Sequence, residues 1–431
     1  MKVLVLGAGI IGVTTAYELA RRGHEVEVVD KEAAETLATS DATAGLIAPG
    51  HSFAWASPSA PKELLKSLFS SDTSIRVKPR LDAELVSWGL RFLRECTGPR
   101  AYRNTLAKLR LAQRSQELFN AMIEAKGMDF RPTTGGVLYL YRDPEALGRA
   151  MAHGAIMREN GQSQRIVSRE ELLHLEPALA NSRVSFAGAV HDRTDATGNP
   201  AKFAAEVRKL CEELGVRFTF DTSVEGILLS RSSTDVPRVA GLRSSRGELV
   251  ADRYVLAGGP GSARLARTAG VRLPVYPAKG YSLTAPIQEG TLAPALGGID
   301  ERSLVAWSRF GDQLRMSATA EFVGYSQQYG PKDFANILKA GNELFPGVLD
   351  LSRATYKVGL RPMTPDGPPI IGRARGSNLY INTGHGHLGW TMACGAAEMM
   401  SDLLEGKATA LPAAPYAVGR WEATSTTYRK W

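Results

Sequence analysis

Residues 2–30 read KVLVLGAGIIGVTTAYELARRGHEVEVVD, and the fold class follows from how this stretch divides. KVLVL is aliphatic without alternation, as a strand covered on both faces of a parallel sheet must be. GAGIIG follows at once, then a helical pattern from Val13 with Ala16, Leu19 and Ala20 on one face and Gly23 as its stop. A second strand ends at Asp30. The three glycines differ in what they allow. Gly7 permits the tight turn, Gly9 lets backbone approach a pyrophosphate, and Gly12 lets the helix pack on the strand. The helix start faces phosphate charge, and Asp30, eighteen residues past Gly12, is spaced to bond a ribose. The expected dinucleotide contacts here are Val3, Gly7, Ala8, Gly9, Ile10, Ile11, Gly12, Asp30 and Lys31. The alternative is a glycine-rich turn with no ligand.

This motif does not choose between nicotinamide and flavin dinucleotides, but later segments do. A nicotinamide domain continues in βα units, whereas residues 39–61, TSDATAGLIAPGHSFAWASPSAP, read as a long ordered loop. Its Ser40, Thr43, Ala44, Gly45 and Leu46 are placed to wrap an extended cofactor; a surface excursion is the other reading. The next unit lies far off, a helix over 201–214 with Phe203, Val207, Leu210 and Leu214 on one face, then the strand VRFTF, with Val224 beyond. ADRYVLAGGPGS (251–262) brings a strand onto Gly258 and Gly259. LYINTGHGHLGWTMACGAAEMMSDLLEG (379–406) again reads as strand, glycine turn and helix, and it offers Gly384, Gly386, His387, Leu388, Gly389, Trp390 and Thr391. A positive helix end there suits the pyrimidine side of a reduced flavin. A discontinuous dinucleotide domain with two glycine-gated helix starts points to FAD.

VLGAGIIGV (5–13), AGLIAPG (44–50), VYPAKGYSLT (275–284), GLRPMTPDGPPIIG (359–372) and NTGHGHLGWTMACG (382–395) carry a resemblance that runs nearly end to end. The chain resembles the D-amino-acid dehydrogenase small subunit family, within the FAD-dependent D-amino-acid, glycine and sarcosine oxidase superfamily. The resemblance implies an α/β protein, α+β overall, with a split Rossmann-like FAD-binding domain and an antiparallel-sheet substrate domain. It also implies oxidation of D-amino acids to 2-oxo acids and ammonia, hydride passing from Cα to flavin N5 and electrons to a quinone-type acceptor. Thr43 stands where these dehydrogenases usually have Asn, and His387 where Thr is usual. Relatives that attach FAD through cysteine do so near the GLRP region, which has none here, so noncovalent FAD is expected.

Such chemistry needs a carboxylate clamp and a neutral amine. Arginine suits the clamp because its planar fork bonds a carboxylate bidentately. Arg361 is the candidate, with a structural pair to Asp366 as the alternative. By resemblance, Tyr276 and Tyr281 close over the substrate, although tyrosines on a strand also serve simply as packing. Lys279 faces the flavin or a turn. His385 and His387 flank Gly386, where an imidazole tunes the ring or the amine's proton, or is structural; His51 is a weaker candidate.

Five segments are expected: 1–85, 192–268 and 356–431 in the FAD domain, 86–191 and 269–355 in the substrate domain. GGVLYLYRD, RVSFAGAVHD, KGYSLTAP and SLVAWSRFGDQLRMSATAEFVG alternate like antiparallel strands with one wet face, and a helix over 100–126 reads as their cover.

The 431 residues, 44% hydrophobic and 22% charged, fit two to three globular domains and exclude general disorder. No stretch reaches the ~18–20 uncharged apolar residues of a spanning helix. Lys2 and the apolar run after it have the look of a signal peptide, but the glycine pattern and Glu18 speak against one. Cys96, Cys211 and Cys394 lack paired spacing, which excludes a disulfide framework and a cysteine zinc site; no metal is expected. Of the net charge of +8, residues 75–116 carry ten Lys/Arg against three Asp/Glu. Within them, Leu85, Trp88 and Phe92 lie in helical spacing beside Arg91 and Arg94. Two readings stay open, a solvated face with its aromatics in the core and a peripheral contact with the inner face of the cell membrane. The location expected is cytoplasmic and no nucleic-acid partner is expected. Rival functions are an oxidase or dehydrogenase of D-hydroxyproline, D-proline, sarcosine or glycine, and an RNA-modifying flavoprotein.

Overall fold

The computed structural model describes residues 1–431 apart from 35, 70–74, 78–80, 131, 134, 231–236, 375–376 and 422–431. A six-stranded sheet runs in the order Ile370–Arg373, Leu379–Thr383, Arg253–Leu256, Lys2–Leu6, Glu25–Val29, Arg217–Thr219, parallel except at its first pair. Its aliphatic strands pack against the helices Ile10–Arg21, Pro200–Glu213 and Gly389–Glu405 in one core. Gly12 makes the first of these contacts fit, since a Cβ there would lie 1.7 Å from the Gly7 carbonyl oxygen. The helix Gly98–Lys126 lies across Gly389–Glu405 and belongs to this core. It does not cover the substrate sheet as its sequence suggested, because Leu111, Ala112 and Phe119 face the dinucleotide side.

A nine-stranded sheet forms the second layer, in the order Thr355–Met363, Tyr276–Pro286, Gln313–Phe322, Val305–Phe310, Gly297–Asp300, Val137–Tyr141, Gly188–Asp192, Gln164–Ser168, with Ile75–Val77 on Gln313–Phe322. It is antiparallel except where Val137–Tyr141 meets Gly297–Asp300 and Ile75–Val77 meets Gln313–Phe322. Ile75–Val77 and Thr355–Met363 thus pair in the substrate sheet, although the segments 1–85 and 356–431 were expected to be dinucleotide domain.

The wet face expected of KGYSLTAP is absent, since ten of the eleven residues of Tyr276–Pro286 are buried. Tyr281, Leu283 and Ala285 join a core with the helix Ala335–Leu344, while Tyr276 and Ala278 pack with Trp88 and Phe92. Between these two groups the register slips: Lys279 pairs with Glu321 but Tyr281 with Ala318. Thr319 and Ala320 therefore bulge opposite Gly280, with Thr319 at φ +64°.

Candidate functional site

A cavity of about 1420 Å³ runs from the carboxyl ends of the parallel strands to the bulged strands of the large sheet. Such a crevice is the usual ligand position in an open α/β sheet. Gly7, Gly9, Ile10, Ile11, Asp30 and Lys31 line one end. The loop expected to wrap a cofactor contributes Ser40, Thr43, Ala44 and Leu46, and Ser40 Oγ accepts from Ile10 N at 3.0 Å, tying the loop to the helix start. Asp30 accepts from Ala8 N at 2.5 Å and Glu32 N at 2.9 Å, so its carboxylate shapes the glycine turn itself. Val224, Gly258, Gly259, Gly386, His387, Leu388, Gly389 and Trp390 complete the lining.

Six residues of the expected set lie off this wall. Val3 is core, Ala8 is seen through its backbone, and Gly12 serves packing. A Cβ on Gly45 would meet the Phe310 ring, and one on Gly384 would meet Thr364, so both serve packing too. Thr391 Oγ1 accepts from Ala48 N at 3.2 Å, a structural bond.

Arg361 projects from Thr355–Met363 into the far end of the cavity. Its Nη1 donates to the Thr319 carbonyl at 2.7 Å, and its guanidinium lies flat over Gly280, where a Cβ would come within 2.5 Å of Nη2. Burial lowers it to about 10, which leaves it cationic at neutral pH. Among the described residues no carboxylate pairs with it: Asp366, its expected alternative partner, binds Arg420 at 2.7 and 2.9 Å. An unpaired buried cation is costly unless a ligand supplies the anion.

The two tyrosines do not reach the cavity. The Tyr276 hydroxyl donates to Asp82 Oδ2 at 2.7 Å at the start of the helix Ala83–Glu95, and the Tyr281 hydroxyl to Glu321 Oε2 at 2.5 Å inside the second core. Lys279 pairs with Glu321 at 3.3 Å and faces away from the cavity as well. Ordinary alternation along Tyr276–Pro286 sends Tyr276 to one face of the sheet and Lys279 and Tyr281 to the other, and none of these side chains meets the cavity there.

His387 does face the cavity, stacked on Trp55 at 5.1 Å, and its ring centroid is 6.3 Å from that of His51. Burial, with the Lys108 and Arg361 charges, holds it far below the usual imidazole range, so it is neutral, and burial brings His385 to about 3. The buried Nε2 of His387, Nε1 of Trp390 and Oγ of Ser262 have no protein partner among the described residues. These atoms, with the glycine cradle, fit a polar-edged cofactor such as FAD. Trp55, Thr319 and Lys108 were missed from sequence; their only signal was membership of a glycine-rich loop, a strand and a basic run.

Within the basic run, Trp88 and Phe92 point inward, Trp88 Nε1 bonding the Met363 carbonyl at 2.9 Å, as the solvated-helix reading expects. Val86, Leu90 and Leu93 of the same helix are exposed, as are Leu65 and Leu81 beside it. Among the described residues no helix is long and apolar enough to cross a membrane.

A dinucleotide sheet whose cleft reaches an unpaired arginine in a second sheet defines the class of two-domain, dinucleotide-dependent redox proteins. The chain belongs to the FAD dependent oxidoreductase family, whose model matches residues 2–403. It is 41% identical to D-amino acid dehydrogenase 2 of Mesorhizobium japonicum over 94% of this chain and 97% of that one. It is 40% identical to a D-amino acid dehydrogenase of Bradyrhizobium diazoefficiens over 98% and 99%. Among solved structures, glycine oxidase from Geobacillus kaustophilus superposes with a TM-score of 0.74 at 23% identity, covering 97% of this chain and 98% of that one. L-proline dehydrogenase from P. horikoshii gives 0.71 at 22%, covering 98% and 97%.

Proposed function

We propose that this protein is an FAD-dependent dehydrogenase of D-amino acids, yielding 2-oxo acids and ammonia, with FAD held noncovalently. The observation that carries the reading is Arg361, a cation with no carboxylate partner among the described residues, aimed into the cavity that also carries the glycine cradle. FAD, when bound, supplies a two-electron acceptor. Arg361 holds the substrate carboxylate, and the Thr319 carbonyl fixes the guanidinium so that the Cα–H bond has one orientation. Neutral His387 Nε2 accepts a hydrogen bond from the substrate amine and favours its uncharged form. Gly9, Ile10 and Ile11 at the helix start hold the pyrophosphate, Asp30 the ribose, and the turn Gly386–Leu388 the ring end. None of the three cysteines lines the cavity, which supports noncovalent attachment. Acid precipitation should leave the pellet colourless.

Anaerobic flavin bleaching by a panel of D- and L-amino acids, sarcosine and D-proline tests the activity. Arg361→Leu should still bind FAD but reduce it only at far higher D-amino acid concentration; wild-type affinity in that variant removes the assignment. The acceptor in this reading is a membrane quinone, reached through the exposed Val86, Leu90 and Leu93 beside Arg91 and Arg94. Sedimentation with anionic vesicles, lost in a Leu90→Glu variant, and dye or quinone turnover exceeding peroxide release are the outcomes expected. Rapid peroxide release without acceptor dependence rejects the dehydrogenase reading.

A further inference from the structure

His51 closes the short turn Pro49–His51 on the cavity wall, and the turn is anchored from its buried side. Gly50 N donates to Asp195 Oδ1 at 3.0 Å, and the Gly50 carbonyl accepts from Gln164 Nε2 at 2.9 Å. A Cβ at Gly50 would lie within 2.9 Å of the side-chain ends of Asp192, Asp195 and Gln164, so any larger residue would displace these anchors. The Tyr139 hydroxyl donates to the second Asp195 oxygen, and the Tyr139 ring stacks under His51 at 5.3 Å and 13°. Backbone and ring of His51 are thereby both fixed.

The imidazole is also oriented. His51 Nε2 lies 3.1 Å from Glu301 Oε1, and Glu301 is held by its own N–H on the Leu140 carbonyl at 3.1 Å. A carboxylate only accepts, so Nε2 donates to Glu301, and the tautomer that carries this proton presents Nδ1 as its acceptor. His387 Nε2 has no partner among the described residues. His387 lies beside the His51 wall, its ring centroid 6.3 Å from that of His51. Ile299, Leu304 and Ala306 make the rest of that wall apolar.

We infer that His51, positioned by Glu301, forms a subsite that accepts a hydrogen bond from a substrate side chain. The enzyme then favours D-amino acids carrying a hydroxyl over the aliphatic analogue lacking it, because the analogue leaves an oriented acceptor unpaired. The inference rests on the D-amino-acid reading and specifies the side chain that this reading leaves open.

Matched substrate pairs test it: D-serine against D-alanine, and cis-4-hydroxy-D-proline against D-proline, in anaerobic stopped-flow flavin reduction. Wild type should reduce with the hydroxylated member of at least one pair ~10-fold more efficiently. His51→Phe keeps the aromatic stack on Tyr139 and should bring that ratio to near one, a selective change that loss of folding does not produce. Glu301→Gln, a milder change, should lower the ratio part of the way and serves if His51→Phe loses its flavin. A wild-type preference for the aliphatic members, or a ratio unchanged in both variants, overturns the subsite and leaves the D-amino-acid reading standing. Absence of bleaching by every D-amino acid overturns both.

Discussion

The carbonyl of Thr319 holds Arg361 Nη1 at 2.7 Å, and it does so from φ +64°, a conformation in which a β-branched residue is strained. Backbone strain of about 1–3 kcal/mol persists only where surrounding structure over-determines it. The carbonyl is the working group, and the Thr319 hydroxyl is buried without a partner among the described residues. Thr319→Gly should therefore keep kcat/KM within about threefold and keep stability within about 1 kcal/mol, released strain offsetting the lost side chain. A large fall in activity with unchanged melting would assign the work to the hydroxyl instead.

Gly280 lies under the guanidinium, where a Cβ would come within 2.6 Å of Arg361 Cζ. The flexible arginine can move aside, so Gly280→Ala should fold. Its KM for a D-amino acid should nonetheless rise about tenfold or more, since a misplaced clamp loses bidentate geometry. Arg361→Lys should behave similarly, for lysine offers a point charge in place of a fork. Steady-state kinetics on both variants decide this, and an unchanged KM would contradict the clamp.

Asp30 accepts from Ala8 N and so both shapes the turn and faces the ribose end of the cavity. Asp30→Ala should weaken FAD binding by about 10-fold or more, the worth of a charged hydrogen bond. Titration of apoprotein with FAD, followed by flavin fluorescence, measures it directly.

Lys108 Nζ donates to the Phe53 carbonyl at 2.7 Å, and burial brings its pKa down to about 7. An unfolded lysine titrates near about 10.4, so between these values the unfolded chain binds the extra proton and the folded chain does not. Stability should climb as pH rises from about 7 towards 10 and stay flat from this group below 7. Melting curves of wild type against Lys108→Met across that window should diverge in slope, the variant being flatter. Parallel slopes would mean that the lysine is charged in the fold.

The cofactor half of the site was legible because its information is local. Strand, glycines, helix start and Asp30 lie within thirty residues, so spacing alone places them. Arg361, in the run Gly359-Leu360-Arg361-Pro362, was chosen from chemistry as a group to bind a carboxylate, and the structure sets it on the cavity wall. Tyr276 and Tyr281 were misplaced because period-two alternation puts residues five apart on opposite faces of the sheet, and each face is covered by its own core. Trp55, Thr319 and Lys108 come to the cavity from three separate elements, and nothing in their neighbours' identities announces that meeting.

The middle of the six-stranded sheet sets Lys2–Leu6 beside Arg253–Leu256, which in turn pairs with Leu379–Thr383. One neighbour of the first strand, Glu25–Val29, follows directly, but the other is made some 250 residues later, and that strand's own far neighbour some 375 residues after the start. Non-local pairing of this kind is slow and leaves sheet edges open in the meantime. Because the turn Gly386–Leu388 follows the last of these strands, the cavity has no complete wall until nearly all of the chain is synthesised. A filled cavity is therefore the mark of a chain whose early and late strands have found each other.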